Sequence, residues 1–285
     1  ILRMNLVKIE PSFFKPYFDE DRIDENLFYL QQLPNDLVDC RLIIKDNCTL
    51  SGLSYFFSSF NYLGFYDESH WAELFKNFEG RSFKKADREE IHFKLPFNIA
   101  LTGERIALNL LQHSSSVSTE TKKYSVLAKE KNIKILDTRK TTPGLRTLEK
   151  YAVRIGGGVN HRFSQTDLWM IKDNHKTFFG GVKGAVEFFK NSGSFYRPIE
   201  LEVHDLTELN EGRELGIKHF MLDNFTPGSV MEAVKSKRNG ETFEVSGGIT
   251  LDSLSNYLIE GVDAISVGKI TYGATPVDIS LKYSR

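Results

Sequence analysis

In the second half of the chain, short apolar runs repeatedly end in residues that can do chemistry. Ile135-Leu136-Asp137 runs into Thr138-Arg139-Lys140, and Met170-Ile171 into Lys172-Asp173-Asn174-His175. Glu200-Leu201-Glu202-Val203 carries carboxylates inside the run, and Met221-Leu222 ends in Asp223-Asn224. Phe243-Glu244-Val245 ends in Ser246-Gly247-Gly248, and Ile265-Ser266-Val267 in Gly268-Lys269. One charge after a strand is ordinarily a solvated loop residue; a series in register is not something packing requires. Arg139, Lys140, Arg154, His161, Arg162, Lys172 and His175 make the region rich in cations. Strands and Gly156-Gly157-Gly158 interrupt them, so they are not one solvated helix face. Guanidinium forks pair with carboxylates and phosphates, so such a pocket expects a small ligand with several negative charges. Glycines after Val245 and Val267 let backbone N–H groups approach an anion, which makes Ser246, Gly247, Gly248 and Gly268 a candidate phosphate site. Glu202 and Asp223 could bind sugar hydroxyls or hold Mg²⁺, which takes oxygen ligands beside phosphates. They could equally balance the charges of Lys140 and Lys172.

These residues need elements to bring them together. Strands are predicted at 133–137, 168–171, 199–203, 219–222, 242–245 and 264–267, with amphipathic helical patterns at 182–191, 206–215, 228–237 and 251–260. Strand–helix alternation with right-handed crossovers gives a parallel sheet. At least six such units, with no G-x-G-x-x-G after a first strand, favour a closed or nearly closed β/α barrel over a dinucleotide-binding sheet. In a barrel the C-terminal strand ends share one mouth, so the residues above converge there. The chain before residue 110 or so is less regular. Leu42-Ile43-Ile44-Lys45 reads as a strand, 71–78 and 105–112 as helices, and Gly103-Glu104-Arg105 as the start of a long helix.

The 285 residues are long enough for one large domain or a large and a small one. Hydrophobic content of 40% and charged content of 26% are ordinary for a soluble globular chain. A net charge of -1 leaves no broad basic field for nucleic acid. The 22 phenylalanines are scattered, which reads as core packing. Cys40 and Cys48 form neither a disulfide framework nor a zinc set and are expected to be free thiols. No apolar run approaches the length of a membrane span. Residues 1–10 lack the apolar core of a signal peptide, so a cytoplasmic location is expected. The first residue is not methionine, which reads as a trimmed chain or a start at Met4.

The motifs resemble those of a known family. Gly103-Glu104-Arg105-x-Ala107-Leu108-Asn109 is similar to its ERxALN helix, and residues 135–146 (ILDTRKTTPGLR) to its most diagnostic segment. Lys150-Tyr151-Ala152-Val153-Arg154-x-Gly156-Gly157-Gly158-x-Asn160-His161-Arg162 continues the match. The segments at 171–175, 200–203, 222–224, 246–249 and 261–268 follow in the family's order and spacing. The match is strong over roughly residues 100–282. The family is quinolinate phosphoribosyltransferase. The resemblance implies an α/β protein: an N-terminal α/β sandwich domain (1–112), an incomplete β/α barrel catalytic domain (113–270) and a C-terminal tail (271–285) returning to the first domain. It implies transfer of phosphoribosyl from phosphoribosyl pyrophosphate to quinolinate with decarboxylation, in NAD biosynthesis, using Mg²⁺ and no organic cofactor. It also implies a homodimer or higher oligomer with shared active sites, without nucleic-acid or membrane partners. By position, Arg105 would be borrowed by the partner's site. Arg139, His161, Arg162 and Lys172 would grip quinolinate, and Lys140 and Lys172 would meet pyrophosphate and phosphate. Glu202 and Asp223 would hold ribose and Mg²⁺, and Ser246, Gly247, Gly248 and Gly268 the 5′-phosphate. The catalytic set would be Lys140, Lys172, Glu202 and Asp223. The sequence departs from the family at His113, where an arginine is usual, at Ser115-Ser116 for Ser-Gly, and at Tyr272 for a basic residue. The acidic segment near the start is not recognisable around Asp19-Glu20-Asp21. The alternatives are a phosphoribosyltransferase of the same fold acting on nicotinate or another carboxylated base, and a non-catalytic phosphate-ligand sensor.

Overall fold

The computed structural model describes residues 5–23, 25, 28–193 and 198–284; Met4, the candidate start, lies outside them. Two compact units form. The first comprises Ile1–Glu120, Thr147–Gly156 and Ala274–Arg285, the second Thr121–Arg146 and Gly157–Gly273.

In chain order the first unit opens with α1 (Pro11–Glu20), α2 (Phe28–Gln31) and β1 (Leu37–Ile44). A two-stranded ladder of β2 (Cys48–Thr49) and β3 (Ser82–Phe83) brackets α3 (Leu53–Tyr62) and α4 (Glu68–Phe78), and β4 (Glu90–Pro96) follows. Strand β1 starts five residues before the predicted Leu42, because Val38, Cys40, Leu42 and Ile44 alternate with more exposed neighbours and all face the core. That core is aromatic, as expected. Phe57 stacks on Trp71 at 4.9 Å, and Phe56 meets Phe93 edge-on at 5.8 Å. The long helix α5 (Phe97–Lys129) starts six residues before Gly103. Gly103 serves close packing instead: a Cβ there would stand 2.9 Å from the Phe60 ring. Residue 112, the expected domain border, lies inside this helix, and the change of unit comes between Glu120 and Thr121.

Both cysteines are free, as expected, and both are buried. Burial, with a nearby carboxylate beside each, pushes both thiols up to about 12. The thiolate is the reactive form, so a disulfide thiol reagent at pH 8 should leave the native protein untouched and titrate both cysteines after denaturation. Prompt reaction of the native protein would contradict this packing.

The second unit begins with β5 (Lys134–Leu136); α6 (Arg146–Ile155) then lies almost wholly in the first unit. There follow β6 (Trp169–Ile171), α7 (Asp173–Phe178), α8 (Val182–Ser192), β7 (Ile199–Val203), α9 (Leu206–Glu214) and β8 (His219–Asp223). Next come α10 (Pro227–Lys235), β9 (Thr242–Ser246), α11 (Leu251–Leu254), β10 (Ala264–Ser266) and α12 (Lys269–Tyr272). All six strands are parallel, in the order β5-β10-β9-β8-β7-β6. Strands β5 and β6 are both edges, so the barrel stays open between them. A lone parallel bridge joins Leu136 to Val159 at that gap. Three of these helices start just after their strands with a side chain ready to cap them. Asp205, Thr226 and Thr250 accept N–H bonds from the first turns of α9, α10 and α11. The predicted helix over 251–260 stops at Leu254 and continues as one 3₁₀ turn, Ser255–Tyr257. Serine and asparagine side chains compete for backbone partners there, and Ser253 donates back to the Thr250 carbonyl. Finally β11 (Ile279–Ser284) pairs antiparallel with β1, completing the order β11-β1-β4 in the first unit.

Among the described residues, no helix is long and apolar enough to cross a membrane.

Candidate active site

The C-terminal ends of the parallel strands surround a cavity of about 450 Å³, lined by Asp137, Thr138, Arg139, Lys140, His161, Arg162, Met170, Lys172, Glu202, Met221, Asp223, Ser246 and Ser266. Period-two alternation explains the convergence: Met170 and Lys172, Met221 and Asp223, and Glu244 and Ser246 each share a strand face. The Arg139–Lys140 loop follows β5, and His161 and Arg162 arrive on the irregular segment after α6.

The cations are crowded. The Nε of Arg139 is buried without a hydrogen-bond partner. Burial and the charge of Arg139 lower Arg162 below the ordinary guanidinium range. Arg162 donates to the Leu168 carbonyl at 2.9 Å. Lys172 pairs with Glu202 at 2.7 Å, with side-chain exposures of 43% and 9%. Lys140 is exposed at the mouth. Like charges held together with an unsatisfied buried donor form a site for an anion.

Gly247 and Gly248 follow Ser246, the last residue of β9. Gly247 has φ +104° and Gly248 φ +59°. A Cβ at Gly247 would lie 2.3 Å from Asn224 Oδ1 and 2.6 Å from its backbone N. Gly247→Ala should therefore lower stability by about 1–3 kcal/mol, read by thermal denaturation; an unchanged melting temperature would remove this constraint. Gly268 lies next to the mouth for a different reason: a Cβ there would be 3.0 Å from the Tyr272 ring and 3.3 Å from Lys140 Cδ.

The remaining sequence candidates sit elsewhere. Arg105 lies on α5 in the first unit, its side chain 66% exposed and 3.9 Å from Glu104. His113 pairs with buried Glu149 at 2.9 Å. Ser116 donates to the Gln112 carbonyl, and Ser115 to that of Ser51. Tyr272 is 67% exposed. Arg154 belongs to the first unit. The Nδ1 of His175 accepts the Lys172 backbone N–H, closing the start of α7.

His161 lines the cavity, but both its nitrogens are engaged within the protein. Its Nε2 lies 3.1 Å from Glu200 and 3.3 Å from Glu244, and its Nδ1 accepts the Arg162 backbone N–H at 2.7 Å. Burial disfavours the imidazolium, yet the two carboxylates outweigh it and raise the group to about 10. At that value the ring is the imidazolium at neutral pH: Nε2–H donates to the acids, and Nδ1 accepts the Arg162 N–H only in the neutral ring. Burial, then the Glu244 charge, raises Glu200 above the usual carboxylate range. Sequence reasoning also passed over Thr138, Met170, Met221 and Ser266 as lining residues, and His204, which bonds Asp173 and lies 4.0 Å from Asp223. Their signal was the same two-residue alternation along each strand.

Residues 117–282 match the family model described as quinolinate phosphoribosyl transferase, C-terminal domain. The chain is 42% identical over 186 residues to a probable carboxylating nicotinate-nucleotide pyrophosphorylase of Bacillus subtilis, across 65% of this chain and 64% of that one. That alignment thus spans just under two thirds of the relative. A protein of the same description from Methanocaldococcus jannaschii is 38% identical over 250 residues, 85% of each chain. The solved structure of the nicotinate-nucleotide pyrophosphorylase from Francisella tularensis is similar at TM-score 0.82 and 30% identity, covering 99% of both chains.

Proposed function

Since the chain belongs to the quinolinate phosphoribosyltransferase family, we propose that it joins quinolinate to phosphoribosyl pyrophosphate in NAD biosynthesis, releasing pyrophosphate and carbon dioxide and leaving nicotinate mononucleotide. The observation that carries this reading is the buried, unpartnered Arg139 Nε beside Arg162 in a cavity that also holds Lys140 and Lys172. Two guanidinium groups suit the two adjacent carboxylates of quinolinate. Nicotinate, with one carboxylate, would leave part of that charge uncompensated.

The pyridine nitrogen attacks C1 of the ribose as the C1–O bond to pyrophosphate breaks. Arg139 and Arg162 hold the ring in line for this attack. Lys140 and Lys172 stabilise the charge building on the departing pyrophosphate, and Glu202 and Asp223 offset the positive charge on the sugar. The 2-carboxylate then leaves as carbon dioxide, its bonding electrons stay at C2 beside the cationic nitrogen, and C2 takes a proton from water. Ser246, Gly247, Gly248 and Gly268 cradle the 5′-phosphate. Glu202 and Asp223, oxygen donors on adjacent strands beside the phosphate-facing lysines, fit Mg²⁺; when bound, it would supply charge neutralisation on the pyrophosphate. No organic cofactor is needed. The exposed Arg105 is assigned to the site of a second protomer in a homodimer, and the cytoplasm is the expected location.

Initial rates with saturating phosphoribosyl pyrophosphate and Mg²⁺ test this reading. Quinolinate should be consumed at least about tenfold faster than nicotinate, roughly the worth of one charge-assisted hydrogen bond. Equal or reversed rates would move the assignment to a mono-acid substrate, and silence with both would favour a sensor.

A further inference from the structure

Barrels of this type ordinarily fill their interior with branched apolar side chains. Here the level beneath the cavity is built from acids. Glu200 on β7 and Glu244 on β9 are 4% and 8% exposed, and the fully buried Asp137 follows β5. All three converge on one stretch, Asn160-His161-Arg162. Asp137 accepts the His161 backbone N–H at 2.9 Å and the Asn160 side-chain amide at 2.6 Å. Glu200 and Glu244 take the His161 ring at Nε2, and Ser266 donates to the far oxygen of Glu244. Nothing in packing demands this arrangement. Leucines at 200 and 244 would fill the space without the cost of burying carboxylates.

The network has a consequence for the ligand. With Nε2 held by the two acids the ring is fixed, and Arg162, the next residue, brings its guanidinium to the cavity. That group faces repulsion from Arg139, so something must hold its backbone in place. His161, Arg162, Glu200 and Glu244 also line a second cavity of about 380 Å³ at the opposite strand ends, beside Lys134 and His219. His161 and Arg162 line both cavities and so form the wall between them.

We propose that Glu200 and Glu244 are positioning residues for the dicarboxylate subsite: by clamping the His161 ring they fix the backbone of Asn160–Arg162 and thereby aim Arg162 at the substrate. This rests on the quinolinate reading above.

The test compares Glu200→Ala, Glu244→Ala, Glu200→Gln and Glu244→Gln with the parent enzyme in steady-state kinetics, varying each substrate in turn. The alanine variants should raise KM for quinolinate about 10- to 100-fold, the scale of a misplaced binding group, with KM for phosphoribosyl pyrophosphate within about twofold. Glutamine keeps an acceptor for Nε2–H and should restore most of the loss. If the alanine variants fail to fold, the nearly isosteric glutamine variants carry the test through the His161 ring N–H resonance: the proton should stay slow to exchange in the parent and in both glutamine variants. Loss of that resonance with unchanged quinolinate KM would overturn the proposal. So would equal rises in both KM values, or alanine variants that behave like the parent. A parent enzyme idle with quinolinate overturns both this inference and the functional reading; an active parent with unaffected variants overturns this inference alone.

Discussion

Arg139→Ala is expected to lower kcat/KM for quinolinate by about 100-fold or more while leaving the fold intact. Hydrogen bonds to charged groups are worth about 1.5–3 kcal/mol each, a fork can make two, and about 1.36 kcal/mol is a factor of ten. The fold should survive because the Arg139 Nε makes no hydrogen bond within the protein. Removing this side chain also relieves the charge that depresses Arg162. Thermal stability should therefore stay level or rise slightly, the pattern expected where a site is strained for function. Steady-state kinetics with a melting curve on the same preparation decides it. Near-parental kinetics would take Arg139 out of the site, and a collapsed melting transition would make its role structural.

Lys172→Ala should behave differently. The loss is expected in kcat, about 100- to 1,000-fold, the usual cost of removing one donor aimed at developing negative charge. This variant also pays a structural cost, because Lys172 is the 2.7 Å partner of the largely buried Glu202. The pair is partly open to solvent on the lysine side, so about 1–2 kcal/mol is the scale, or a melting point roughly 2–4 °C lower for a chain of this size. Adding Glu202→Gln should restore the melting point and leave kcat low. If stability and rate recover together, neither Lys172 nor Glu202 acts in the chemical step.

Much of this was legible in the residues because a parallel barrel turns chain order into spatial order. Strand β7 falls at the predicted 199–203, and β8 and β9 extend one residue beyond prediction, since each is a short, mostly buried run. Eight of the proposed ligand residues share one cavity: Arg139, Lys140, His161, Arg162, Lys172, Glu202, Asp223 and Ser246. Less was legible where tertiary contact outweighs local pattern. The glycine of Gly103-Glu104-Arg105 reads as a helix start, but the Phe60 ring that requires it is 43 residues away in sequence. His161 reads as one more cation in a row. Its neighbours Glu200 and Glu244 come from two later strands, and only folding shows that its ring belongs to them. The first hundred residues give weak signals because their order depends on β11, which returns from the far end of the chain to pair with β1.

The central claim is the decarboxylating transfer, and its most direct test labels the carboxylate that should leave. Purified protein is mixed with phosphoribosyl pyrophosphate, Mg²⁺ and quinolinate carrying ¹³C in the 2-carboxylate, with a parallel tube containing nicotinate, and labelled carbon dioxide and nicotinate mononucleotide are measured together. Equal amounts of labelled carbon dioxide and mononucleotide from quinolinate, with little product from nicotinate, are the predicted result. Mononucleotide formed from nicotinate, with no labelled gas from quinolinate, would contradict it.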